Sequence, residues 1–194
     1  KMPMELSEDG SHCPTPRSVL RLVRGALLRG AGLHDGSLGA SGAAPEGSTK
    51  PRRLLFISRS AQSMRGNFSD EAALRNTARA VAADATPRLA FELFAGDMAL
   101  PEQMTAFREA AAVIGVHGGA LTNLLFCSPG AVVFEAGFAS AFAGHYRHLA
   151  AASDVRLVSL PLLANERGMG ARDIRLVSLE AAEAAIRHEL RAEG

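Results

Sequence analysis

The stretch AAVIGVHGGALTNLLFCSPGAVVFEAG (111–137) parses as one unit of a parallel sheet. AAVIGV (111–116) is a continuous apolar run, as in a strand covered on both faces. It stops at His117, Gly118 and Gly119, where two glycines permit a tight turn and close approach of backbone. Ala120–Phe126 reads as a short helix. After a Pro-Gly turn, AVVFEAG (131–137) is a second apolar strand that carries one carboxylate, Glu135.

The same alternation extends outward on both sides. LLFIS (54–58) is a strand. Ser69 is placed to cap the next helix, with Asp70 and Glu71 in the first turn at the positive end of its dipole. Leu74, Ala78, Val81 and Ala82 form that helix's apolar stripe. RLAFELF (88–94) is a strand, and Pro101 opens a short helix running to Ala110. Residues 141–152 are helical, VRLVSL (155–160) is extended, and a Gly-rich loop leads to IRLVSL (174–179). The last helix aligns Leu179, Ala182, Ile186 and Leu190. Strands alternating with helices predict an α/β fold, a Rossmann-like, doubly wound, mostly parallel sheet over 51–194.

Residues 1–50 differ in character. SVLRLVRGALLRGAGL spaces Val19, Leu20, Val23, Ala26 and Leu27 as one helical face, with Arg21, Arg24 and Arg29 between them. The expected arrangement is a helix packed on the domain with solvated arginines. The alternative is a basic face that meets a membrane surface or a partner. GAGLHDGSLGASGAAPEGSTKP (30–51) is a Gly/Ser/Pro-rich connection.

Composition excludes several classes. Lys+Arg 21 against Asp+Glu 20 leaves a net charge of +1, too little for a strong field toward nucleic acid or an anionic membrane. Two cysteines, Cys13 and Cys127, make neither a disulfide framework nor a cysteine zinc site. No apolar run reaches the roughly 18 residues of a membrane span, and residues 1–12 lack the apolar stretch of a signal peptide. A chain that starts on Lys is expected to be a fragment.

Ligands of such sheets bind beyond the carboxyl ends of the strands, and three of these ends carry unusual residues. His117-Gly118-Gly119-Ala120-Leu121-Thr122-Asn123 joins a strand to a helix start, whose free N–H groups and dipole suit a diphosphate. Equally, the glycines permit close packing and Thr122 or Asn123 is a local cap. Neither GxGxxG nor a P-loop Lys is present. Arg59 and Arg65, past the first strand, have the fork geometry for phosphate oxygens or are surface charges. Glu135 suits the two hydroxyls of a ribose or pairs with an Arg. His145 and His148, flanking Tyr146, read as surface histidines without a third metal ligand. Cys127 reads as a buried thiol, and Ser58 and Ser128 lack the GxSxG of a nucleophile elbow.

Together these residues resemble glycosyltransferase family 61. VIGVHGGALTNLLFCSPGAVVFEAG (113–137) is similar to that family's core motif at His117, Gly118, Leu121, Thr122, Asn123, Phe126, Pro129, Gly130 and Glu135, with the family's Ala-Gly pair inverted as Gly119-Ala120. RRLLFISRSAQSMRGNFSDEAAL resembles the upstream block, where Arg59 and Arg65 match two arginines. Asn67 and Glu71 match an Asn-Glu pair only with an insertion. The resemblance implies the C-terminal, nucleotide-sugar-binding half of a GT-B fold. It also implies inverting transfer of a pentose or N-acetylglucosamine to a glycan or protein hydroxyl, in the ER or Golgi lumen. By the same resemblance His117–Asn123, Arg59 and Arg65 receive the diphosphate of a donor expected to be UDP-linked, and Glu135 the ribose. His117 is the candidate general base, the acceptor-binding half being the alternative source. The resemblance implies no cofactor and requires no Asp–metal–Asp arrangement, in keeping with the absence of a DxD from the sequence. The acceptor-binding N-terminal half is expected to be missing. A non-catalytic nucleotide- or glycan-binding module is the alternative, and an unrelated Rossmann-like enzyme using NAD or a methyl donor is a third reading.

Overall fold

The computed structural model describes residues 16–33, 52–58, 67–137, 144–164 and 173–191. Arg59, Arg65 and most of the Gly/Ser/Pro-rich connection lie outside them. In chain order the elements are α1 (Arg17–Gly30), β1 (Arg53–Ile57), β2 (Asn67–Phe68), α2 (Glu71–Asp84), β3 (Ala90–Phe94), α3 (Leu100–Arg108) and β4 (Ala110–Val116). A 3-10 helix (Gly119–Phe126), β5 (Val132–Gly137), α4 (Gly144–Ala152), β6 (Arg156–Ala164), β7 (Asp173–Leu176) and α5 (Leu179–Arg191) follow.

The seven strands lie in the order β2-β7-β6-β5-β4-β1-β3. All neighbours pair in parallel except β6 and β7. β6 divides its length between two partners. Its residues up to Pro161 pair with β5, and Leu162–Ala164 pair antiparallel with β7. The apolar runs of β4 and β5 are buried on both faces, as their continuous hydrophobicity requires. β3 is the more exposed edge.

Helices cover both faces. Leu74, Ala78, Val81 and Ala82 of α2, with Ala182 and Ile186 of α5, share a core with Leu54, Phe56, Ile114, Phe134 and Ala136. Arg187 of α5 reaches Asp84 of α2 at 3.0 Å. On the other face Leu28 of α1, Phe107 of α3, Leu121 and Leu124 of the 3-10 helix and Tyr146 of α4 pack on Leu55, Ile57, Val113 and Val133. After β1 the short β2 pairs with β7 at the far edge; the chain then places β3 on one side of β1 and β4 on the other. The strand order therefore reverses between β1 and β4, the switch point at which doubly wound sheets open a crevice.

Two local expectations are corrected. Ser69 does not cap α2. Asp70 is the N-cap residue without a side-chain capping bond, its carboxylate accepts from the Leu176 N–H at 2.7 Å, and the Ser69 hydroxyl donates to Ile174 O. Both side chains fasten the turn to β7 instead. The second correction is α1, whose apolar stripe faces outward: Val19 is 42% exposed, Val23 44% and Leu27 38%, whereas Arg24 is 5% exposed. The arginines account for this orientation. Arg21 donates to Ala152 O at the end of α4 and pairs with Asp154, and Arg24 donates to Cys127 O just past the 3-10 helix. Cations on the carbonyl ends of two helices outweigh burial of a few aliphatic side chains. Among the described residues no helix is long and apolar enough to cross a membrane.

β1 and β4 meet closely at Gly115, where an added Cβ would stand 3.0 Å from Cδ1 and 3.1 Å from Cβ of Ile57. Gly115→Ala is expected to cost about 1–3 kcal/mol by overpacking. Gly119→Ala, whose Cβ meets no heavy atom within 4 Å, is expected to leave stability unchanged. Urea denaturation of both variants checks the contrast.

Candidate functional site

The carboxyl ends of β4 and β5 bring together His117 and Glu135, while Ser58 ends β1 on the other face of the sheet. The register sets Gly115 opposite Ile57 on one side and opposite Glu135 on the other. His117 follows two residues after Gly115, so it projects on the same face as that row. From there the imidazole reaches the carboxylate diagonally. Nδ1 of His117 lies 2.5 Å from Oε1 of Glu135. The Glu135 side chain is 6% exposed and that of His117 28%, so the carboxylate is interior and the imidazole opens outward. Within the chain the partner of the strand carboxylate is thus a histidine and not an arginine.

Tyr146 braces this pair. Its ring meets the imidazole edge-on, centroids 5.1 Å apart, and its hydroxyl donates to Gly118 O at 2.6 Å. The Leu121 N–H donates to the same carbonyl at 3.0 Å. Gly118 itself is extended (φ 169°), so the turn needs no left-handed backbone there, contrary to a tight glycine turn.

The predicted helix after the turn is a 3-10 helix, long for its kind. Side chains from neighbouring elements fix both its ends. Tyr146 holds Gly118 O, Ser153 donates to Leu125 O at 3.0 Å, and Arg24 holds Cys127 O. At its N-terminal end the first N–H groups have no intrahelical acceptor, and the space beside Gly119 is open.

The remaining sequence candidates fall in different places. Leu121 is fully buried, a core residue. Thr122 is exposed. The Asn123 amide donates to Gln103 Oε1 at 2.8 Å, tying the 3-10 helix to α3 rather than capping it locally. On the opposite face of the sheet the Ser58 hydroxyl donates to Glu71 Oε1 at 2.6 Å, which brings Glu71 of the matched upstream block to the end of β1. Tyr146 was passed over because it stands between two histidines. Its being the only tyrosine of the chain is the one sequence signal that singles it out.

The family model described as Glycosyltransferase 61 matches residues 38–134, half of the chain, and the chain belongs to that family. The match runs from before β1 through the 3-10 helix and stops one residue short of Glu135. No curated protein matches the chain. Family membership supports a glycosyltransferase.

Cys127 is fully buried next to this region, and burial pushes its thiol up to about 12, only partly opposed by Arg24. A thiol raised in this way stays neutral where an exposed cysteine begins to ionise. Near pH 8 it is expected to resist a disulfide reagent in the native chain and to react on denaturation. The associated stabilisation is present below the ordinary cysteine range and is lost as pH rises toward about 12.

Proposed function

We propose that this chain is the donor-binding part of an inverting glycosyltransferase, holding a nucleotide sugar, UDP-linked, at the crevice between β1 and β4. The observation that carries the reading is a buried carboxylate paired with a part-exposed imidazole, beside an open helix start at the sheet's switch point, in a chain of glycosyltransferase family 61.

The chemistry follows from what those groups offer. N–H groups at the start of the 3-10 helix favour the diphosphate and, as the sugar leaves, the charge that develops on it. Arg59 and Arg65 are proposed to add their guanidinium forks. An acceptor hydroxyl attacks the anomeric carbon from the face opposite the diphosphate. The new carbon–oxygen bond forms as the bond to the diphosphate breaks, and the hydroxyl proton passes to Nε2 of His117. With Nδ1 facing Glu135, Nε2 is the ring nitrogen left for that task.

A GT-B architecture, with a second half that binds a glycan or glycoprotein acceptor, extends this reading. The outward stripe of Val19, Leu22, Val23 and Leu27 supports it, because such a face is what another folded half would cover. An ER or Golgi lumenal setting belongs to the same proposal.

A thermal-shift series with UDP, NAD and a methyl donor tests it. UDP at about 100 times its Kd is expected to stabilise the chain by about 2.7 kcal/mol, with NAD and the methyl donor silent. Gly119→Ala, neutral for folding, is expected to weaken UDP about tenfold, because the added methyl occupies the open space through which a phosphate would approach the N–H and so lengthens a hydrogen bond to a charged group. Stabilisation by NAD, or unchanged UDP affinity in Gly119→Ala, would contradict the site.

A further inference from the structure

The Glu135 carboxylate is interior, and one of its oxygens lies against Nδ1 of His117. A ribose diol needs a carboxylate that presents its oxygens to the ligand. With 6% of its side chain exposed, this one presents little. A carboxylate only accepts hydrogen bonds, so the proton between the two groups sits on Nδ1. The neutral imidazole is then fixed as the Nδ1–H tautomer, with the Nε2 lone pair on the side away from Glu135.

Tyr146 restrains the same histidine in a second way. Edge-on contact limits rotation of the imidazole, and the hydroxyl bond to Gly118 O holds the residue that follows it. Gly118 O accepts from Tyr146 and from the Leu121 N–H together, which sets the plane of the Gly118–Gly119 peptide. In a trans peptide the N–H points opposite to the C=O. The Gly119 N–H is therefore directed away from Tyr146 and Leu121, out of the helix start.

We propose that Glu135 and Tyr146 are positioning residues: Glu135 holds His117 in the tautomer that leaves Nε2 as a proton acceptor, and Tyr146 locks the ring and the Gly118–Gly119 peptide. Neither contacts the ribose. This rests on the glycosyltransferase reading for its purpose, though not for its geometry.

The test has two arms. In the first, long-range proton–nitrogen NMR of the histidine-labelled chain, without ligand and above the ordinary histidine titration range, reports which ring nitrogen carries the proton. His117 is expected to be protonated on Nδ1. Glu135→Leu removes the acceptor and is expected to shift the ring toward Nε2–H, whereas Glu135→Gln, whose amide oxygen still accepts, preserves Nδ1–H. Tyr146→Phe is expected to speed hydrogen exchange of the Leu121 N–H about tenfold, the effect of loosening one hydrogen bond. An Nε2–H ring in the native chain, or a tautomer indifferent to Glu135→Leu, overturns the role of Glu135; unchanged exchange in Tyr146→Phe overturns that of Tyr146. Should Glu135→Leu fail to fold, the native chain and Glu135→Gln still decide the tautomer.

In the second arm, UDP is compared with an analogue lacking both ribose hydroxyls. The ratio of the two affinities is expected to be the same in the native chain and in Glu135→Gln. A ratio that collapses in the variant makes Glu135 a ribose ligand and overturns the proposal. If the native chain binds neither nucleotide, the donor-binding reading fails, while the first arm still decides the positioning roles.

Discussion

A carboxylate inside an apolar strand is the constraint around which this end of the molecule is arranged. Removing the partner of a buried charge costs about 3–5 kcal/mol, so Glu135 requires a group of suitable chemistry within reach. His117 supplies it from just past the end of the neighbouring strand, on the same row as Gly115. The same glycine permits close approach of β1 to β4.

The topology puts that place at the ends of the strands rather than deep in the core. β3 lies on one side of β1 and β4 on the other, so α2 and α3 cover opposite faces. In doubly wound sheets such divergence is where ligand crevices open. Ser58 with Glu71 lies on the α2 face and His117 with Glu135 on the α3 face. The 3-10 helix begins there with its peptide plane set by Tyr146, which is the preorganisation that anion binding and charge development both need.

Much of this was legible in the sequence, for identifiable reasons. β1, β4 and β5 are continuous apolar runs because each is covered on both faces, and α2 was legible because Leu74, Ala78, Val81 and Ala82 all face the same core. The α1 orientation was not, since periodicity ranks aliphatic burial and cannot see that helix C-terminal carbonyls await Arg21 and Arg24. Ser69 was misread for a related reason: a capping residue also serves as a clasp when a strand such as β7 lies within reach. His117 and Glu135 stood out separately as a histidine and a carboxylate in apolar surroundings. Their pairing depends on sheet register, which spacing along the chain does not contain, and Tyr146 enters from α4 only through tertiary packing.

The claim that joins fold to function is that a nucleoside diphosphate sits at the mouth between β1 and β4. Amide chemical-shift mapping of the isotopically labelled chain during a UDP titration addresses it directly. The account predicts the largest changes at Ser58 and at His117 through Leu121. Changes confined to the opposite end of the sheet, around Ala85, Thr86 and Leu190, or no saturable change at all, would contradict it.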